Sequence, residues 1–167
     1  MKRDSGGRKT QRTSKRKTIP IEIVQTSFIR ASPELVYDAF ASAPGLDGWF
    51  TTGSRVDPRP GGEIRFHWAN NGPDHSSFED GGPILEAKRP ARFVFQWHPD
   101  NQSYATTVEL DFHPLRNGTV VSVRENGYRN TPSGRKAFMN CATGWGEALT
   151  LVKVYLEHVI RVDRSWP

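Results

Sequence analysis

The stretch that decides the fold is Ser133-Gly134-Arg135-Lys136-Ala137-Phe138-Met139-Asn140-Cys141-Ala142-Thr143-Gly144-Trp145-Gly146-Glu147-Ala148-Leu149-Thr150-Leu151-Val152-Lys153-Val154-Tyr155-Leu156-Glu157-His158-Val159-Ile160. Within it Phe138, Cys141, Ala142, Trp145, Leu149, Val152, Leu156 and Val159 or Ile160 recur at the spacing of one helix face. The period predicts a single amphipathic helix of about 25 residues, from near Ser133 to near Ile160. The polar side of this helix faces water, so its apolar stripe needs a cover from the rest of the chain.

That cover reads as a sheet. From Ser54 to Tyr128 the apolar period drops to two: Ile64, Phe66 and Trp68 alternate with Glu63, Arg65 and His67, and Thr106, Val108, Leu110 and Phe112 alternate with Thr107, Glu109, Asp111 and His113. Phe93, Phe95 and Trp97 share a face, as do Val121, Val123 and Glu125. Asn117-Gly118 between two such runs signals a hairpin. The polar, Gly-rich segment Ala69–Gly82 reads as a long loop, a candidate lid. Upstream, Ile19–Arg30 reads as a strand. Ser32 then caps a helix with Pro33 at its first position and Glu34 in its positive first turn. Pro44-Gly45 stops that helix, and a second short one is expected at about Leu46–Trp49. The order is β, α, α, six β, and a long α. Short connections between strands favour an antiparallel sheet over βαβ units. The expected class is α+β: a curved antiparallel sheet wrapped around the long C-terminal helix.

Charge divides the chain. The 167 residues carry a net charge of +5, but residues 1–18 hold eight Lys and Arg against one acid, a net of +7, which leaves −2 on the remainder. From Lys2 to Thr18 there is no hydrophobic residue. Such a segment has nothing to bury against the entropy of ordering, so a disordered tail over 1–18 is expected. The domain proper is expected over 19–162, with a short C-terminal tail over 163–167. A basic surface spread over the whole fold is disfavoured. The tail is a candidate contact for a weakly held anionic partner, nucleic acid or an anionic membrane surface, or a bipartite nuclear-import signal, or merely a solvated extension. No stretch is long and apolar enough for a transmembrane helix, and the first residues lack the apolar core of a signal peptide. A single cysteine, Cys141, allows no internal disulfide and suits a reducing compartment, so a cytoplasmic location is expected.

Several stretches together resemble one family. Ser32-Pro33-Glu34-Leu35-Val36-Tyr37-Asp38-Ala39-Phe40 with Leu46 and Trp49-Phe50 is similar to the opening of the SRPBCC (START-like, helix-grip) domains. It looks most like the branch related to the C-terminal domain of the activator of Hsp90 ATPase. Asp57, Gly61-Gly62-Glu63-Ile64-Arg65-Phe66, Ile84-Leu85-Glu86, Pro90, Arg92-Phe93-Val94-Phe95-Gln96-Trp97, Thr119 to Glu125 with Gly127, and Gly144-Trp145, Leu149 and Tyr155-Leu156-Glu157 follow in that branch's order. The resemblance covers about residues 20–160. It implies the helix-grip fold and a hydrophobic cavity between sheet and long helix, and it names no ligand. The fold hosts binders, cyclases, hydrolases and co-chaperone modules. The eukaryotic co-chaperone carries a further N-terminal domain where this chain has a short basic tail, so Hsp90 is not the expected partner.

The candidate site follows from the inward faces. Trp49, Phe66, Trp68, Phe95, Trp97, Phe138, Cys141 and Trp145 converge on the interior, where they either wall a pocket or simply fill the core. The glycines of the helix, Gly144 and Gly146, each cost roughly 1 kcal/mol against alanine. They leave room for a guest or allow close packing on the sheet. Glu125 points inward by parity, and a buried carboxylate needs partners. It serves as the polar anchor of a ligand, as a general base, or as a structural group held by an arginine, Tyr128, Trp145 or backbone. The five histidines show no metal spacing, and no metal or cofactor is expected. The expected function is binding of a small hydrophobic molecule without catalysis. The alternatives are a co-chaperone-like interaction module and an enzyme using Glu125.

Overall fold

The computed structural model describes residues 17–162. The expectations for residues 1–16 and for the C-terminal tail 163–167 fall outside them. The elements are β1 (Ile23–Ile29), α1 (Pro33–Ala41), α2 (Ala43–Leu46), β2 (Arg55–Val56), β3 (Glu63–Asn71), β4 (Ser76–Lys88), β5 (Arg92–Trp97), a single 3-10 turn (Pro99–Asn101), β6 (Thr106–Leu115), β7 (Gly118–Asn126) and α3 (Pro132–His158). The strands form one antiparallel sheet in the order β1-β7-β6-β5-β4-β3-β2, packed against α3: the expected α+β helix-grip arrangement. β1 pairs with β7 at one end, so the chain crosses to the other end through α1 and α2.

Local signals explain most of the boundaries. The Ser32 hydroxyl accepts a hydrogen bond from the Leu35 amide, and Pro33 occupies the first turn of α1. Thr131 caps α3 the same way, accepting from the Gly134 amide at 3.0 Å. α3 ends where Val159 turns left-handed (φ 54°), and the chain folds back so that the Val162 amide reaches the Gly48 carbonyl. Lys17 and Thr18, assigned to the tail by composition, pair with Asn130 and Arg129 beside the last strand. Backbone hydrogen bonds hold them there, which side-chain polarity does not reveal.

Two expectations are corrected. Pro44-Gly45 does not stop a helix. Both lie within α2, capped by Ser42, because a proline in the first turn forfeits no helical bond. The short helix is therefore Ala43–Leu46 rather than Leu46–Trp49. The segment Ala69–Gly82 is not a long loop: it is the end of β3, a turn over residues 72–75 and the first half of β4, in register from Trp68↔Phe78 to Ile64↔Gly82. The first half of β4 lacks an apolar period because its side chains meet the cleft or water rather than the core. The hairpin signalled by Asn117-Gly118 joins β6 to β7, with Arg116 and Asn117 at its turn. Asn117 supplies the left-handed conformation (φ 65°), and Gly118 already pairs with Leu115.

The inward faces are those the alternation predicts. Ile64, Phe66 and Trp68, Phe93 and Phe95, Val108, Leu110 and Phe112, and Val121 and Val123 are buried, and α3 meets them with Ala137, Trp145, Ala148, Leu149 and Val152. α1 adds Tyr37 and Phe40, whose rings pack edge-on or tilted against Phe112 at 5.4 and 5.8 Å. On the outer face Arg92 reaches Glu86, Glu109 and Asp111 at 3.2, 2.6 and 2.8 Å, tying three neighbouring strands together. No described helix is long and apolar enough to cross a membrane.

Candidate functional site

The space between sheet and helix is not uniform. Under α1 and α2 it is filled. The void lined by Phe40, Leu46, Trp49, Phe66, Phe95, Leu110 and the inner sides of Phe50, Trp97 and Trp145 measures only about 10 Å³. That is at most the size of one water. Trp49, Phe66 and Phe95 are therefore core residues rather than pocket walls. Trp49 donates its indole N–H to the Ala39 carbonyl at 3.0 Å and stacks on Phe50, which fixes the α1–α2 corner against the sheet.

Beyond that corner the interior opens. A cleft of about 430 Å³ lies between the β3–β4 hairpin, the 3-10 turn after β5 and the middle of α3. Trp68, Trp97, Cys141 and Trp145 line it, as do Phe50 and Phe78. Trp68 is anchored by its indole N–H on the Phe50 carbonyl (2.8 Å) and stacks with Phe78 at 4.8 Å and 26°. Trp97 and Trp145 pack together at 5.8 Å. Gly144 faces the cleft, and a β-carbon built there would meet nothing within 4 Å. Close packing on the sheet does not explain this glycine; the space it leaves belongs to the cleft. The hairpin supplies Asn71, Ser76, Phe78 and Asp80 as one wall of the cleft.

Glu125 is inward and fully buried, but it does not line the cleft. It stands behind the two tryptophans. Its Oε1 accepts the Trp97 indole N–H (2.7 Å) and the Thr106 hydroxyl (2.6 Å), and its Oε2 accepts the Trp145 indole N–H (2.7 Å). No basic side chain among the described residues pairs with it. The expected role as direct polar anchor is corrected accordingly: its oxygens are taken by protein donors, and it acts on the cleft through the indoles it holds. Three donors converging on it match an acceptor-only carboxylate. The same environment affects its neighbours. Burial first, and then the Glu125 charge, pushes the Cys141 thiol up to about 12, so the group stays protonated and a poor nucleophile at neutral pH. The Tyr128 hydroxyl is raised far above its ordinary value by the same two causes in the same order. Phe138 packs edge-on against the Tyr128 ring at 5.3 Å and does not line the cleft.

The sequence missed the polar half of the cleft. Asp80 accepts the amides of Gly81 (2.6 Å) and His98 (3.0 Å). Burial nevertheless holds its carboxyl above the usual range. Asp100, on the 3-10 turn, accepts from the Asn140 side-chain amide at 3.1 Å. Asn140, Gly144 and Glu147 of α3 line the same cleft. Their i, i+4, i+7 spacing, beside the apolar stripe of Cys141, Trp145 and Ala148, is the signal that would have found them. Among the described residues no three His, Cys, Asp or Glu side chains are grouped to hold a metal ion.

Known proteins share this architecture. A structure from Rhodobacter sphaeroides superposes with a TM-score of 0.70 at 25% identity, covering 85% of this chain and 97% of that one. The solution structure of the Aha1 dimer from Colwellia psychrerythraea gives 0.66 at 22% identity, covering 82% and 96%. The solution structure of an AHSA1-like protein from Aeromonas hydrophila gives 0.65 at 25% identity, covering 83% and 94%. No curated protein matches the chain. Residues 30–157, from the end of β1 through nearly all of α3, match the family described as Activator of Hsp90 ATPase homolog 1-like protein. The chain belongs to that family, within the SRPBCC superfamily.

Proposed function

We propose that this domain binds a small, largely apolar molecule in the cleft between the β3–β4 hairpin and α3, without catalysis. The observation that carries this is an open space of about 430 Å³ walled by Trp68, Phe78, Trp97 and Trp145, beside an interior that is filled under α1 and α2. Ligand sites of this kind fall in the range of about 300–1,000 Å³ and combine apolar walls with a few polar groups. Gly144 supports the same reading: a residue unfavourable inside a helix sits where any side chain would enter the cleft.

The test is native mass spectrometry and tryptophan quenching across a library of apolar compounds, run beside Gly144→Phe. The phenyl ring would fill the cleft from a backbone position with open space around it, so the variant should fold and lose binding. A ligand held equally well by Gly144→Phe, or no ligand for the unaltered chain, would refute the proposal.

A second reading rests on the family and on the likeness to an Aha1 structure: a protein-interaction module acting on an Hsp90-type ATPase. Stimulation of such an ATPase by the full chain would support it, and absence of both stimulation and binding would reject it.

A further inference from the structure

The geometry points to an organic cation with an apolar body as the occupant of the cleft. This rests on the ligand-binding reading above and specifies its chemistry. Among the described residues no Lys or Arg lines the cleft. Beside His98, the ionisable groups that set the charge there are acidic: Asp80 from β4, Asp100 from the 3-10 turn and Glu147 from α3. They come from three separate elements, so the excess of negative charge surrounds the opening rather than following one helix face.

Two features beyond charge favour a cation. First, the walls are aromatic, with Trp68, Phe78, Trp97 and Trp145 contributed by three strands and a helix. Aromatic π systems attract ammonium groups by about 0.5–2 kcal/mol, most strongly where water is excluded, and tryptophan is the best of them. Second, Asp80 has no basic partner among the described residues other than the neighbouring His98, whose Nδ1 lies 3.4 Å away. Its side chain is only 14% exposed. Burial disfavours its charged form, and the amides of Gly81 and His98 offset that only in part. A cation in the cleft would supply the missing counter-charge. A neutral apolar guest would leave it as it is, and an anion would face three carboxylates.

The probes are three molecules of nearly one shape: benzyltrimethylammonium, its neutral isostere neopentylbenzene, and phenylmethanesulfonate. Affinity for the full chain is read by tryptophan quenching and by chemical-shift titration of the indole N–H signals at low salt. The cation is expected to bind about tenfold more tightly than the neutral isostere, the aromatic walls and the carboxylates each supplying part of that gap, and the anion most weakly. Asp100 and Glu147 are exposed, so Asp100→Asn with Glu147→Gln should fold normally and bring cation and isostere within about threefold of each other. Equal or tighter binding of the neutral isostere overturns the cation assignment and leaves the apolar-ligand reading standing. So does a tenfold preference left undiminished by the double substitution. Failure of all three probes overturns the assignment, and failure of the wider library as well removes both.

Discussion

Replacing Glu125 by glutamine changes one atom where three hydrogen bonds end. The carboxylate accepts from Trp97, Thr106 and Trp145 at 2.6–2.7 Å, all of them neutral donors. A glutamine has one oxygen to offer. With its NH₂ in the place of Oε2, it faces the Trp145 indole N–H. With the NH₂ in the place of Oε1, the Thr106 hydroxyl can rotate to accept from it, but the Trp97 indole is left facing a donor. One buried N–H is stranded either way, at about 1–3 kcal/mol. The surviving bonds lose their charge assistance, about 1 kcal/mol each. Against this, glutamine no longer carries a charge out of water, a cost of several kcal/mol per ion when uncompensated. The bonds are as short as charge-assisted ones, which places most of that compensation in the three donors. The net expectation is a loss of about 2 kcal/mol, or about 4–8 °C in Tm for a chain of this size. Glu125→Leu strands all three donors and should cost more. Urea unfolding gives the stability, and the indole N–H signals of the five tryptophans show which partner is lost. One strongly shifted indole should move in the glutamine variant and two in the leucine variant. A glutamine or leucine variant at least as stable as the unaltered protein would show that burial of the charge outweighs its bonds, and the argument would fail.

Two further outcomes follow from the geometry. Gly144→Ala and Gly146→Ala should each stabilise the protein by about 0.5–1 kcal/mol, because a β-carbon at either position meets nothing within 4 Å and helix propensity then decides; a lower Tm for either would mean hidden crowding. Glu157 accepts the Arg30 amide at 2.8 Å, and this bond holds its carboxyl below the usual range. A depressed folded pKa gives stability that is present above the unfolded value of about 4.3 and lost as pH falls through the folded one. The stability gap between the unaltered protein and Glu157→Gln should therefore be largest near pH 7 and close in acid; a gap independent of pH would refute the assignment.

Where a segment had one wet and one buried face, its sequence was enough. Ile64, Phe66 and Trp68 alternate with Glu63, Arg65 and His67 because the sheet has a solvated outer side, and the same logic placed Val121, Val123 and Glu125 inward. The α3 period was equally readable. The first half of β4 was not, because its side chains meet the cleft or water rather than the core, and what orders it is backbone pairing to β3 with the Trp68–Phe78 stack and the Asp80–His98 bonds. Alternation also gives the direction of a side chain but not the depth of the space it enters. Trp49, Phe66 and Phe95 point inward just as Trp68, Trp97 and Trp145 do. What separates the two sets is whether α1 and α2 lie over them, and no local pattern encodes that.

Glu125 and the cleft are best understood together. An apolar side chain would fill the space behind Trp97 and Trp145 without the cost of burying a charge. It would, however, leave two indole N–H groups with no acceptor, since each ring has its other side turned to the cleft. Phenylalanine at 97 and 145 would remove that need, and with it the only polar contacts that fix how the rings are oriented. The carboxylate therefore makes sense as an orienting group. One acceptor, shared by donors on β5, β6 and α3, couples the helix to the sheet at the point where the two diverge to form the opening. On this argument a Glu125 substitution should reduce affinity for a cleft ligand as well as stability, through wall residues that are themselves unchanged.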